Sequence, residues 1–258
     1  MFSVLITTHR RPLLLRRAFL ALAQQTFREF SVICVADHFG ADFHEDTLAK
    51  LDRPVICVTR NGEPGPAISR NIALKLVTTE YFMFLDDDDT LQPDHLAVFA
   101  RHLLQQMSDL AYCDYNIVNE VRWTNKVKES DRQLITIGVV RQEDLFVKNQ
   151  IPNSCVMFKA QKFCGKTSDP DLILYDDWDF LLRCLPSDNF TYINNASVNI
   201  HKTPRPVGDR RGARNDDKLL ENLLKVYANN PSPTPAIRQA RKNYVRDATG
   251  IDLPLEHF

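Results

Sequence analysis

The stretch Tyr81-Phe82-Met83-Phe84-Leu85-Asp86-Asp87-Asp88-Asp89-Thr90-Leu91 joins an apolar, aromatic run directly to four carboxylates. Five apolar residues without polar alternation suit a strand covered on both faces, the usual state of an inner strand in a parallel sheet. The acids then leave the sheet at the carboxyl end of that strand, the edge where open α/β sheets bind ligands. Like charges packed there raise one another's free energy unless a cation or hydrogen-bond donors neutralise them, and a divalent metal is the simplest neutraliser. The competing reading is a solvated acidic turn ahead of a helix that starts near Pro93, with Asp89 or Thr90 as its cap.

Upstream, residues 3–8 read as a first strand, and Pro12 suits the first turn of a helix to about residue 23 whose Leu14, Leu15, Ala18, Phe19 and Leu22 make one apolar face. The loop between them, Thr7-Thr8-His9-Arg10-Arg11, offers hydroxyls and cations to a base, ribose or phosphate, or is an ordinary polar loop. A second strand over 30–36 ends at Asp37, again an acid at a carboxyl end. A short helix over 41–51, a third strand over 54–59 and a Gly/Pro-rich loop over 61–66 lead to a helix over 67–77. Arg70 and Asn71 fall in its first turns, near the positive end that favours an anion; a solvated helix arginine is the alternative.

Downstream, an amphipathic helix over 93–107, a strand over 110–118, a polar hairpin insertion over 119–138, a short helix over 142–149 and a strand over 154–159 follow in an order of pairing that the pattern leaves open. A second acidic cluster lies in Tyr175-Asp176-Asp177-Trp178-Asp179-Phe180. Trp178, Leu181, Leu182 and Leu185 share one helical face, so Asp176 and Asp177 sit at the N-terminus, where a cap explains one aspartate and not two. A last strand over 197–200 runs into His201, a candidate metal ligand or a plain surface residue, followed by Lys202, Arg205, Arg210, Arg211 and Arg214, cations suited to closing over phosphates. After a polar-faced helix over 216–228, residues 231–235 are linker-like, and a final helix over 236–247 carries Arg238, Arg241, Lys242 and Arg246, either resting on the body, meeting a membrane surface or mediating assembly.

At 258 residues and 44% hydrophobic content the chain is read as one large α/β domain over 1–230, a nucleotide-binding half to about 110 and an acceptor half over about 111–215, with residues 231–258 as linker and helix. Lysine plus arginine (32) balances aspartate plus glutamate (33), which argues against nucleic acid as a partner. Six cysteines without a C-x-x-C pair, with Cys34, Cys57 and Cys155 in apolar runs, predict reduced, buried thiols in the cytoplasm. The start shows no charged n-region, and no apolar run approaches the ~18 residues of a membrane span, so the expectation is a soluble protein with at most peripheral contact at the inner face of a membrane.

These pieces together resemble the inverting GT-A nucleotide-sugar glycosyltransferases of the family 2 type, which includes many bacterial polysaccharide enzymes; the resemblance covers about residues 1–215. The opening strand and Thr7-Thr8-His9-Arg10-Arg11 are similar to the family's P-T-Y-N-R loop, Gln25-Thr26-Phe27 to its Q-T-Y/F turn, and Asp37 to its D-D-G-S segment. Ile68-Ser69-Arg70-Asn71 resembles the A-R-N helix start, Phe84 to Asp89 with Pro93 and Leu96 resembles F-L-D-x-D-D…P…L, and Tyr175 to Phe180 resembles E-D-W/Y. The resemblance implies a doubly wound, mostly parallel sheet flanked by helices, with a small β insertion and C-terminal helices. It implies that Thr7, Thr8 and Asp37 hold the nucleoside, that Arg70 lies near base or phosphate, and that Asp86 and Asp87 lie at the donor, Asp86 towards the ribose. Asp88 would ligate Mn2+ or Mg2+ at the diphosphate with His201 completing the metal site, and Asp177 would be the general base. Donor and acceptor would be a nucleotide-sugar, read as a UDP-sugar, and a glycan or lipid-linked glycan. The chain departs from the pattern where His9 and Arg10 replace the loop tyrosine and asparagine, where Ala36-Asp37-His38-Phe39 replaces D-D-G-S, and where Asp176 replaces glutamate.

Two other readings fit parts of the sequence. Asp86-x-Asp88-x-Thr90-Leu91 also resembles the D-x-D-G-T-L motif of haloacid-dehalogenase-type phosphatases, although Asp89 stands in place of glycine and three strand–helix units precede it. The other is a nucleotide- or carbohydrate-binding module without catalysis.

Overall fold

A computed structural model describes the chain apart from residues 39–42, 44, 63–64, 124–125, 164, 186–188 and 204–215. Three strand–helix units open it: β1 (Phe2–Thr8) and α1 (Pro12–Ala23), β2 (Phe30–Ala36) and α2 (Glu45–Leu51), β3 (Val55–Thr59) and α3 (Pro66–Lys75). The aromatic run forms β4 (Tyr81–Asp86), followed by a two-residue β5 (Thr90–Leu91) and α4 (His95–Gln106). Next come β6 (Leu110–Trp123), β7 (Lys126–Ile135), α5 (Gln142–Leu145), β8 (Val156–Lys159), α6 (Ala160–Phe163) and α7 (Asp176–Arg183). The chain ends with β9 (Phe190–Lys202), α8 (Asp216–Asn229) and α9 (Pro235–Thr249).

The strands make one sheet in the order β3-β2-β1-β4-β8-β6-β9-β5, with β7 added to β6. β3, β2, β1 and β4 are mutually parallel, as the aromatic run implies, whereas β8 is antiparallel to both its neighbours and the second half is mixed. Parallel register sets Thr8 beside Ala36 and Thr7 beside Asp86. The loops after β1, β2 and β4 therefore open on the same sheet edge.

β4 is covered on both faces, and its rings fasten the second acidic element to the first. Phe82 stacks on Phe158 of β8 at 5.1 Å, and Phe84 meets Phe180 of α7 edge-on at 5.6 Å. Trp178 of α7 is fully buried and donates its indole N–H to the Leu145 carbonyl at 2.8 Å. Position in the sheet also corrects one thiol: Cys57 is exposed because β3 is an edge strand, while Cys34, Cys113, Cys155 and Cys184 are buried.

The last helix rests on the body. Arg241 of α9 is fully buried and donates to the Phe146 and Asn230 carbonyls, both at 2.7 Å, with its guanidinium 4.4 Å over the Tyr227 ring. Burial lowers its pKa to about 10. Among the described residues no helix is long and apolar enough to cross a membrane.

Candidate active site

The four acids occupy a turn closed by the Asp89 N–H on the Asp86 carbonyl at 3.0 Å, with β4 entering and β5 leaving. They splay in different directions. Asp87 turns inward, taking Thr8 Oγ1 at 2.7 Å and Arg11 Nη1 at 3.1 Å, so it orients the β1 loop and does not face the open cleft. Asp89 also turns inward, accepting from Ser154 Oγ at 2.8 Å and the His201 N–H at 3.3 Å. Asp86 and Asp88 keep side chains 43% and 20% exposed, so the alternating pair of the D-x-D resemblance is the pair open to a ligand. None of the four caps α4: its N-cap is Asp94, which makes no side-chain cap bond, and the solvated-turn reading loses its main support.

Arginines neutralise this charge in part. Asp86 pairs with Arg70 at 3.2 Å, and Asp88 with Arg122 at 3.2 Å and Arg11 at 3.6 Å. Partial burial still raises the Asp86 carboxyl above its ordinary range; Arg70 opposes the shift, and Asp88 and Asp176 add to it. Burial, with Asp88, pushes Asp87 up to about 6 against the pull of Arg11. Hard carboxylate oxygens that remain under mutual repulsion suit Mg2+ or Mn2+, so the chemistry of Asp86 and Asp88 fits the implied metal.

Arg122 is held in turn by Glu120 at 2.5 Å and by the His201 carbonyl at 3.2 Å. Glu120 is completely buried and also takes Arg17 at 2.6 Å and His201 Nδ1 at 2.9 Å, while Arg17 reaches the Asp88 carbonyl at 2.6 Å. Burial alone raises the Glu120 carboxyl, but the hydrogen bonds from His201, Arg17 and Arg122 and the charge of Arg17 outweigh it and bring it to about 2. The same contacts hold His201 inside the protein, against the surface-residue reading. Its ring is buried with Nδ1 on Glu120 and Nε2 on Thr90 Oγ1 at 2.9 Å, so the residue ties β9 to the turn and to β6; Nδ1–H donated to Glu120 leaves the Nε2 lone pair towards Thr90, on the wall of the cleft that Asp88 also lines.

The second acidic cluster faces the first. Tyr175, in the left-handed region at φ 66°, turns the chain into α7 so that Asp176 and Asp177 begin the helix. Asp176 pairs with Arg70, which therefore spans from Asp176 to Asp86; its guanidinium works as a strut between carboxylates as well as lining the cavity beside them. Asp177 lines a cleft of about 370 Å3 with Asp86, Asp88 and Asp89. Burial and the neighbouring Asp176 push its carboxyl up to about 6, against the pull of Arg70.

A second cavity of about 150 Å3 is lined by Thr7, Thr8, His9, Asp37, Arg70 and Asp86. Asp37 is buried there, with His9 Nδ1 at 2.5 Å, the Gly65 N–H at 3.2 Å and Arg60 at 3.6 Å. Asp86 lines both cavities and joins the one at the β1 and β2 loops to the one at Asp177. Arg205, Arg210 and Arg211 lie outside the described residues.

Sequence reasoning missed Glu120 and Arg122, which it placed in a polar insertion; two residues apart on a strand, they share a face, but nothing local says what that face meets. It also missed Asn153, whose side-chain N–H2 is buried in the cleft wall with no partner among the described groups.

A family model described as "Glycosyl transferase family 2" matches residues 3–163. A GalNAc(5)-diNAcBac-PP-undecaprenol beta-1,3-glucosyltransferase of Campylobacter jejuni is 31% identical over 93 residues, covering 34% of this chain and 30% of that protein. Residues 1–349 of S. aureus TarS in complex with UDP-GlcNAc superimpose with a TM-score of 0.69 at 15% identity, covering 97% of this chain and 73% of that one. A mannosyltransferase of Pyrobaculum calidifontis in complex with GDP-Man and Mn2+ superimposes with a TM-score of 0.61 at 16% identity, covering 96% of this chain and 73% of that one. The match leaves the phosphatase reading of Asp86–Leu91 without support. With two acidic elements at the carboxyl edge of a GT-A sheet, and a family match over more than half its length, the chain belongs to glycosyl transferase family 2 and is a glycosyltransferase.

Proposed function

We propose that the chain is a metal-dependent, inverting glycosyltransferase that moves a sugar from a nucleotide-sugar donor, read as a UDP-sugar, to a hydroxyl of a glycan or lipid-linked glycan. The observation that carries this reading is the shared wall at Asp86, which sets a cavity suited to a nucleoside against a cleft holding Asp88 and Asp177. The undecaprenol-linked relative favours surface polysaccharide or lipopolysaccharide synthesis, at a cytoplasmic site with at most peripheral membrane contact.

In this reading Thr7, Thr8 and Asp37 hold the nucleoside, and Asp88 with Asp86 would hold Mn2+ or Mg2+. When bound, that ion supplies positive charge to the departing diphosphate. Arg70 fixes Asp86 and Asp176 in one line, which leaves Asp177 to take the proton of the acceptor hydroxyl. A base poised near neutrality is efficient, and a single base on one face of the sugar gives inversion. The rate is therefore expected to fall as pH drops below about 6, where Asp177 protonates; a kcat/KM profile flat down to pH 5 would contradict the assignment.

Thermal-shift measurement of nucleoside diphosphates, with and without Mn2+, tests nucleotide and metal together. The expected result is a shift with one base that grows with Mn2+, and Asp88→Ala should remove the metal-dependent part. Transfer at an unchanged rate in excess chelator would overturn the metal, and no shift with any nucleotide would overturn the donor class.

A further inference from the structure

Two departures from the family pattern converge in space. His9 follows β1 and His38 follows β2, and the parallel register of those strands brings both to Asp37. One ring nitrogen of each histidine and one oxygen of Asp37 all lie within 4.8 Å of one another, and the imidazole rings meet edge-on with centroids 5.8 Å apart. The two oxygens of Asp37 are differently used: Oδ2 takes the Gly65 N–H and Arg60, while Oδ1 meets His9 Nδ1. With Oδ2 fixed by Gly65 and Arg60, Oδ1 is the oxygen left towards the histidines, and an ion shared with them would replace the proton of the His9 contact. The contact that engages His38 Nδ1, from the Arg10 N–H, is long at 3.4 Å and holds that ring weakly.

We propose that His9, Asp37 and His38 form a site for a transition metal of the zinc class, and that an ion there and the nucleoside exclude one another. Two imidazoles and one carboxylate favour Zn2+, Co2+ or Ni2+ over Mg2+, which separates this site chemically from the all-oxygen pair Asp86 and Asp88. Exclusion follows from place: His9 and Asp37 line the same cavity as Thr7, Thr8 and Asp86. This second half rests on the nucleoside reading of that cavity; the metal site itself does not.

Co2+ added to the chelator-treated full chain is the direct probe. The expected result is visible absorption saturating at one equivalent, paramagnetically shifted imidazole N–H resonances, displacement by Zn2+ and none by Mg2+. His9→Gln and His38→Gln should each weaken Co2+ binding by on the order of tenfold or more, while Asp88→Asn leaves the spectrum unchanged. Absence of the shifted imidazole resonances, or a spectrum insensitive to both histidine substitutions in folded protein, overturns the site. The thermal shift with a nucleoside diphosphate should be lost in the Zn2+-loaded protein; an undiminished shift overturns the exclusion. No shift in the metal-free protein overturns the nucleoside reading, and exclusion with it, while the Co2+ spectrum still decides the site.

Discussion

Asp177→Asn is expected to lower the rate of sugar transfer by about 10²–10⁴-fold, the range a positioned general base contributes, while nucleotide binding stays intact. Asparagine keeps the size and one oxygen of the side chain but cannot take a proton. The strut from Asp176 through Arg70 to Asp86 does not pass through residue 177, so the donor side of the cleft keeps its shape. The same substitution is expected to stabilise the fold. The carboxyl titrates at about 6 in the folded chain against an ordinary 3.8, so the folded state holds the proton more tightly and loses stability as pH rises between those values. Above pH 6 the asparagine variant escapes that loss, worth roughly 1–2 kcal/mol after discounting for the partly open cleft, or a few degrees in Tm. Inactivity with a raised Tm at pH 7.5 and no gain at pH 4 is the full expected pattern. Turnover near that of the parent chain would remove Asp177 from the chemistry; inactivity with a lowered Tm would mean that the side chain is structural.

The parts of this arrangement legible in the sequence are those decided by neighbours along the chain. Burial of Tyr81–Leu85 on both faces follows from five consecutive apolar residues, and the opening of the acids at the sheet edge follows from where that run stops. The place of Asp176 and Asp177 at a helix start was legible from the apolar face that follows them. What stayed hidden depends on chain segments far apart. Which of the four acids face the cleft is set by a turn and by Thr8, Arg11 and Ser154, which come from other loops. Cys57 read as buried because its strand is apolar, yet exposure is fixed by the strand's place at the sheet edge. His201 read as a metal ligand or a surface residue because it follows a strand; its burial and its contacts to Thr90 and Glu120, which lie 111 and 81 residues away along the chain, could not be read locally. The antiparallel β8, four residues long, carries no pattern that could announce its pairing between β4 and β6.

Glu120→Ala is expected to be the most damaging substitution for stability, costing about 3–5 kcal/mol, because it strands buried charge on Arg17 and Arg122 and removes the acceptor of His201 Nδ1. In a chain of this length that corresponds to a fall in Tm on the order of 10 °C. Glu120→Gln, similar in shape, isolates the electrostatic part and gives the effect a pH signature. The glutamate is depressed to about 2 in the fold against an ordinary 4.5, so its stabilisation is fully present above pH 4.5 and is lost as pH falls through about 2. The gap in unfolding free energy between the parent chain and Glu120→Gln should therefore be constant from pH 7 to about pH 5 and already smaller at pH 3. The loss reaches the site because Glu120 carries Arg122 to Asp88 and Arg17 to the backbone of the same turn. Without it the turn loses two of the contacts that fix where Asp86 and Asp88 point, so the variant's metal-dependent nucleotide shift should weaken even at temperatures where it is fully folded. A gap that does not narrow on acidification, or a stability equal to that of the parent chain, would show that the network is dispensable and that the acidic turn is held by Thr8, Arg11 and Ser154 without it.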